Sequence, residues 1–308
     1  MKFAMMGSGG VGGYFGGRLA AGGHDVTFIA RGAHLAAIRA DGLKIESGLG
    51  NATIHPAQAT DDPGRPGPVD YVIIAVKLGD TEAAARAARP LVGPDSAVLS
   101  LQNGVVAEDI LAGILGPEHV IGGMAQIACS IVRPGTIGHL GTMQRVVLGE
   151  LGGGASPRVE ALRDALAEAG VVAEISDDIE RTIWEKFVFL VGLSATTTLM
   201  RTTIGPVRED PDSRQLLRGL MAETVAVARA RGVALAGDYA EDRMGFVDGL
   251  PFEMTSSMSH DLNRGNPLEV AWLSGAVVRF GRELDIATPL NHTVYAALKP
   301  FSNGSGGR

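Results

Sequence analysis

The sequence predicts two domains of different class: an α/β domain on a parallel sheet over residues 1–176, then an all-α domain over 177–308. Three observations predict this. The first thirty-one residues run strand, glycine-rich turn, helix, strand. The segment VDYVIIAV at 69–76 is a continuous apolar run, the pattern of a parallel strand buried on both faces. Strand patterning then stops after Ile175, and helical periods take over.

Lys2 to Met6 is a short apolar run, and Gly7, Gly9 and Gly12 follow it in G-x-G-x-x-G spacing. A helical segment from Val11 to Ala21 ends at Gly22 and Gly23, and Asp25 to Ala30 reads as a second strand. In that setting the motif is the dinucleotide-binding turn of a Rossmann-type βαβ unit. Gly7 lets the chain turn sharply, Gly9 admits a pyrophosphate close to the backbone, and Gly12 lets the helix approach the sheet. The helix start offers free N–H groups and a partial positive charge. Gly7, Ser8, Gly9, Gly10, Val11 and Gly12 are therefore the candidate phosphate contacts. A tight structural turn is the competing reading of the same glycines.

The end of the second strand selects the cofactor. An NAD site places an Asp or Glu there for the ribose 2′-hydroxyl. Here the chain reads Phe28-Ile29-Ala30-Arg31-Gly32. Arg31 suits a 2′-phosphate through charge-assisted hydrogen bonds, so the expected cofactor is NADP (NADPH). A solvated surface charge is the alternative for Arg31.

Further elements follow in order. Ala33 to Ala40 reads as a short helix, and Leu43–Ile45 with Ala52–Ile54 as a small hairpin. Asp61 to Pro68 is a Pro/Gly loop, and Lys77 sits just past the apolar strand. A helix from Thr81 to Arg89 stops at Pro90, and Ala97 to Leu101 is a strand ending in Gln102-Asn103-Gly104. A helix from Val105 to Leu115 comes next. Ligands of such sheets bind beyond the carboxyl ends of the strands. Gly7, Arg31, Lys77 and Asn103 all stand at such ends, so a parallel sheet aligns them on one edge. From His119 the pattern predicts two or three antiparallel strands, then a helix over Pro157–Ala169 and a last strand over Val171–Ile175. A long helix opens at Asp177-Asp178 and reaches about Met200. Further helices are expected at about 209–232, 238–248, 270–282 and 287–298, with a disordered Gly/Ser-rich tail over 302–308.

At 308 residues, with 45% hydrophobic and 20% charged residues, the chain has the balance of a soluble globular protein. A net charge of -7 argues against a nucleic-acid partner. The single cysteine, Cys129, fits a reducing, cytoplasmic setting. A strand starting at Lys2 leaves no room for a signal peptide, and no apolar stretch has the roughly 20 residues of a membrane span. The seven histidines show no paired ligand spacing, so no metal is expected. Leu216 to Ala230 could pack within the chain or against a second copy, which leaves a homodimer open.

Two segments of the helical half carry candidate chemistry. Lys186 stands among Ile183, Trp184, Phe187, Val188 and Phe189. Desolvation there lowers a lysine pKa toward that of a useful proton donor. The same lysine could snorkel to solvent along its stem. Ser256-Ser257-Met258-Ser259-His260-Asp261 precedes Glu269, which heads an apolar segment. Ser257 and Asp261 could be helix caps and Glu269 a dipole complement.

Taken in order, the motifs Gly7-x-Gly9-x-x-Gly12, Arg31, Val76-Lys77, Gln102-Asn103-Gly104, Trp184-x-Lys186-Phe187, Ser257-Met258-x-x-Asp261 and Glu269 resemble those of the ketopantoate reductase (2-dehydropantoate 2-reductase) family. The resemblance spans Met1 to about Lys299. It implies hydride transfer from NADPH to the C2 ketone of 2-dehydropantoate, giving D-pantoate for pantothenate and CoA biosynthesis. It implies that Lys186 supplies the proton and that Glu269 holds the substrate hydroxyl and orients the lysine. Ser257 would bind the substrate carboxylate, and Asn103 would lie between nicotinamide and substrate. Asp261 would support the site from behind, and Lys77 would lie with Arg31 near the adenosine phosphate.

One departure bears on the substrate. The family usually has asparagines four and eight residues after the lysine, where this chain has Leu190 and Ser194. Residues four apart share a helix face, so Leu190 is expected beside the substrate. An alternative is therefore a D-2-hydroxyacid dehydrogenase acting on a more apolar 2-oxo acid. A β-hydroxyacid dehydrogenase fits the Ser257, Asp261 and Glu269 cluster poorly. A non-catalytic NADP-sensing protein is the alternative of another class.

Overall fold

A computed structural model describes residues 1–304, which form two compact units, Met1–Thr182 and a second beginning at Ile183. The division falls inside a helix, six residues after the expected 176. The first turn of that helix belongs with the sheet. Ile179 lies so close that a Cβ on Gly122 would sit 2.7 Å from its Cγ2, and one on Gly149 3.1 Å from its Cβ.

The first unit is an α/β domain around one sheet. Its strands are β1 (Lys2–Met6), β2 (Asp25–Ile29), β3 (Leu43–Ser47), β4 (Ala52–Ile54), β5 (Gln58–Thr60), β6 (Val69–Ile74), β7 (Val92–Ser100), β8 (Val120–Arg133), β9 (Thr136–Glu150) and β10 (Val172–Ile175). Their order is β4-β3-β9-β8-β7-β6-β1-β2-β5, with β10 beside β9. The neighbours β2-β1-β6-β7 are parallel throughout. Alternation places Phe3 and Met5 of β1, with Tyr71 and Ile73 of β6, in one apolar cluster. Ala4, Met6, Val72 and Ile74 lie in the other. Burial on both faces is why these strands read as unbroken apolar runs.

The helices of this unit are α1 (Gly10–Ala21), α2 (Gly32–Asp41), α3 (Thr81–Ala88), α4 (Ala107–Leu115) and α5 (Pro157–Glu168). Helix α1 seats unusually close to the sheet. A Cβ on Gly12 would stand 2.1 Å from the Gly7 carbonyl oxygen, and ones on Gly13, Gly16 and Gly17 would stand 2.8, 2.6 and 2.6 Å from Ile137, Met5 and Ile45.

The expected two or three antiparallel strands after His119 are two long ones. β8 and β9 pair from Ile121↔Glu150 to Arg133↔Thr136. Between the pairs Ile127↔Gln144 and Cys129↔His139, residues 140–143 bulge from β9, which is why the pattern reads as two segments. β5 has only three residues, too few to show a period in the sequence.

The second unit is helical. It contains the rest of α6 (Ile179–Leu199), then α7 (Ile204–Glu209), α8 (Pro211–Ala230), α9 (Tyr239–Asp248), α10 (Ser257–Arg264), α11 (Ser274–Glu283) and α12 (Pro289–Leu298). The expected 209–232 segment begins at Pro211. Asp210 caps it by accepting from Ser213 N–H at 2.8 Å, with proline in the first turn. Glu223 of α8 accepts from Leu290 N–H and Asn291 N–H at 2.8 and 2.9 Å. The carboxylate thereby satisfies the open donors at the start of α12. The expectation of a disordered tail is corrected at its start. Leu268 N–H donates to the Ser302 carbonyl at 3.2 Å, and Gly304 N–H to Phe301 at 2.9 Å. The remainder of that tail, 305–308, lies outside the described residues. Among the described residues, no helix is long and apolar enough to cross a membrane.

Candidate active site

In the first unit the parallel register brings the sequence-predicted positions to one edge. Met6 pairs with Ile29 on one side and Ile74 on the other, and Ile74 with Ser100. The strands therefore end level. Gly7, Arg31, Lys77 and Asn103 follow those ends within one to three residues. Gly7 has φ +93, and a Cβ there would meet Val76 Cγ1 at 2.7 Å, so the turn admits only glycine. Beyond its chain neighbours, no atom of the described residues lies within 4 Å of a Cβ position on Gly9, so the backbone is open there. Helix α1 has no capping side chain and no acid in its first turn. Its N-terminal N–H groups thus suit an anion such as a phosphate. Arg31 is exposed at the start of α2 and makes no ion pair among the described residues. These features fit a nicotinamide dinucleotide.

Gln102, singled out only as part of a motif, has a definite task. Its Nε2 donates to the Val76 carbonyl at 2.9 Å and to Thr81 Oγ1 at 2.8 Å. It thereby ties the end of β7 to the end of β6 and fixes the turn that presents Asn103.

In the second unit α6 carries Lys186, which is partly buried. Burial lowers its pKa from 10.5 to about 8, and the Glu269 carboxylate pulls it back up. The fold has therefore brought these two residues into electrostatic contact. Four residues on, Leu190 is partly exposed. Ser194 is 1% exposed, and its Oγ has no hydrogen-bond partner among the described residues. Trp184 and Phe187, both buried, pack edge to face at 5.4 Å beside Lys186 on α6.

The capping reading of Ser257 is corrected. The cap of α10 is Ser256, whose Oγ accepts from Ser259 N–H at 3.1 Å and meets Thr197 Oγ1 of α6 at 2.9 Å. Ser257 is the next residue, in the first turn and exposed, so its hydroxyl is not needed for the cap. Asp261 accepts from Asn266 Nδ2 at 3.1 Å across the end of α10, a bond that shapes the loop leading to Glu269.

Two groups escaped sequence reasoning. Glu108, in the first turn of α4, is pushed up to about 7 by burial, and its own N–H and that of Gly123 pull the other way. His34 of α2 bonds through both ring nitrogens. Neither sits in a recognisable motif, and only the packing shows them.

Two family models cover most of the chain: "Ketopantoate reductase PanE/ApbA" matches residues 3–153, and "Ketopantoate reductase PanE/ApbA C terminal" matches 178–302. The chain belongs to the ketopantoate reductase family. It is 33% identical to an uncharacterised oxidoreductase, YkpB, of Bacillus subtilis, over 98% of this chain and 99% of that one. It is also 33% identical to a 2-dehydropantoate 2-reductase of Mesorhizobium japonicum, over 97% of each. The crystal structure of a 2-dehydropantoate 2-reductase from Geobacter metallireducens superposes with a TM-score of 0.90 at 32% identity, covering 97% of this chain and 99% of that one. The ketopantoate reductase family is one of oxidoreductases, and the α/β sheet domain followed by a helical domain is its fold.

Proposed function

We propose that the protein is an NADPH-dependent 2-oxo acid reductase that converts 2-dehydropantoate to D-pantoate, a step of pantothenate biosynthesis. The observation that carries this reading is Lys186, held near pKa 8 by burial beside the Glu269 carboxylate. The glycine-rich turn, Arg31 and Lys77 would hold the cofactor, which supplies a hydride to the C2 carbonyl when bound. As that carbonyl becomes an alkoxide it needs a proton and a nearby positive charge. A lysine of pKa about 8 provides both near neutral pH. Glu269 keeps Lys186 protonated against its burial and accepts a hydrogen bond from the substrate hydroxyl. Ser257, left free of the helix cap, donates to the substrate carboxylate at the start of α10. Asn103, which follows Gln102, would lie between the nicotinamide and the substrate, and Asp261 would support the Glu269 loop.

Leu190 favours a second reading, reduction of a more apolar 2-oxo acid to a D-2-hydroxy acid. It presents a hydrocarbon one turn from Lys186, and the buried Ser194 hydroxyl has no partner. Losing one polar contact costs about 1 kcal/mol or more of substrate preference. The deciding assay follows NADPH oxidation with 2-dehydropantoate and with branched and aromatic 2-oxo acids. The highest kcat/KM with 2-dehydropantoate supports the first reading, and a preference for an apolar acid replaces it with the second. Tight NADPH binding with no turnover of any 2-oxo acid would leave a sensor.

A further inference from the structure

His34 occupies a junction that no motif marks. Its Nε2 lies 2.8 Å from the carbonyl oxygen of Ser8, inside the glycine-rich turn. Its Nδ1 lies 3.0 Å from Gly135 N, in the turn between β8 and β9. The partners dictate the tautomer. A backbone N–H can only donate, so Nδ1 accepts, and a carbonyl can only accept, so Nε2 carries the proton. The ring is therefore neutral. Burial lowers its pKa, and the Ser8 carbonyl opposes that shift.

The two ends of this bridge are themselves anchored. Ser8 is 2% exposed. Its N–H and its hydroxyl both donate to the Ile29 carbonyl, each at 3.1 Å. With His34 on its carbonyl, every polar atom of Ser8 is fixed. Gly135 accepts from Lys44 N–H at 2.9 Å, and a Cβ on it would touch Ala37 at 3.0 Å. The hairpin in turn walls the start of α1, since a Cβ on Gly10 would stand 2.6 Å from the Cys129 carbonyl oxygen.

We propose that His34 is a positioning residue for the dinucleotide: it pins the glycine-rich turn to the β8–β9 hairpin and so sets the direction of the Gly9 N–H at the start of α1. This rests on the reading that the turn binds NADPH. The Ser8 carbonyl and the Gly9 N–H share one peptide plane, and α1 has no side-chain cap, so the aim of that N–H depends on what holds the Ser8 carbonyl. An amide plane free to rock spends part of its time aimed away from the phosphates, and affinity falls with that fraction.

The test is the Kd for NADPH, from nicotinamide fluorescence, in the full-length protein with melting curves alongside. His34→Phe keeps a ring but leaves the Ser8 carbonyl and Gly135 N–H unpaired, and should raise Kd about tenfold. His34→Gln spaces a donor and an acceptor much as the imidazole does, and should return Kd to within about threefold of wild type. Rescue by glutamine distinguishes positioning from bulk. A folded His34→Phe with wild-type Kd, or a His34→Gln as weak as His34→Phe, overturns the pin. If His34→Phe does not fold, His34→Asn decides, because it keeps an acceptor near Gly135 but does not reach Ser8. Weakened binding supports the proposal, and wild-type Kd overturns it. A wild-type protein that does not bind NADPH overturns the cofactor reading itself, and the pin with it.

Discussion

Glu269→Gln should move the basic limb of the pH profile toward acid. Lys186 goes from 10.5 to about 8 because burial penalises its charge, and the Glu269 carboxylate already offsets part of that penalty. The net shift corresponds to about 3 kcal/mol against the ammonium. Glutamine keeps the shape and a hydrogen-bonding carbonyl but removes the negative charge. An opposite charge in contact is worth about one pKa unit or more, so Lys186 should fall to about 7. Proton donation needs the ammonium, so activity is retained below the pKa and lost above it. At about pH 7.5 the protonated fraction would drop from roughly three quarters to one quarter, about threefold. The assay is kcat/KM for the best 2-oxo acid at saturating NADPH, across the neutral and alkaline range. Loss of the substrate contact lowers the whole curve, whereas loss of the charge moves its limb. A basic limb that stays near pH 8, or moves up, would refute the proton-donor argument. Lys186→Ala, in the same assay, should abolish the limb and lower kcat by about 10²–10⁴.

Arg31→Ala should raise the KM for NADPH by about 10–100-fold with little effect on NADH, from the loss of one charge-assisted fork; an unchanged NADPH KM would remove the 2′-phosphate contact. Leu190→Asn should raise kcat/KM for 2-dehydropantoate relative to bulky apolar acids by about tenfold, and no change in the ratio would mean that the position does not meet substrate. Glu108→Gln tests the buried carboxyl. Its folded pKa of about 7 is above the ordinary 4.5, so the folded state binds the extra proton and stability falls as pH rises from 4.5 through 7. Glutamine removes that penalty, and the variant should be about 1–3 kcal/mol more stable at pH 8 and unchanged near pH 4. Thermal melts at the two pH values check this, and an equal shift at both would show that the carboxyl does not titrate with folding.

Local rules made much of this protein legible from its sequence. The glycine spacing, the strand before it and the helix after it are consequences of backbone sterics within a few residues. A parallel strand buried on both faces has to be apolar throughout, so β1 and β6 announce themselves. Once the strands are parallel, their C-terminal ends share an edge, and Gly7, Arg31, Lys77 and Asn103 fall into line without further information. The family could be read because its motifs keep their order along nearly the whole chain.

What only the tertiary structure decided are relations between residues remote in sequence. That Lys186 meets Glu269 depends on how α6 and the segment before α11 pack. That Ser256, and not Ser257, caps α10 depends on the phase of one turn and on Thr197 from another helix. That Ser194 is buried without a partner, and that Glu108 is held near neutral pKa, depends on which atoms exclude water around them. His34 shows the same thing most plainly. Its neighbours in sequence are ordinary helix residues, and its two partners come from a turn before it and a hairpin far after it. Hydrogen bonds and desolvation act over ångströms in space, and sequence patterns report such distances only where the chain itself is the ruler.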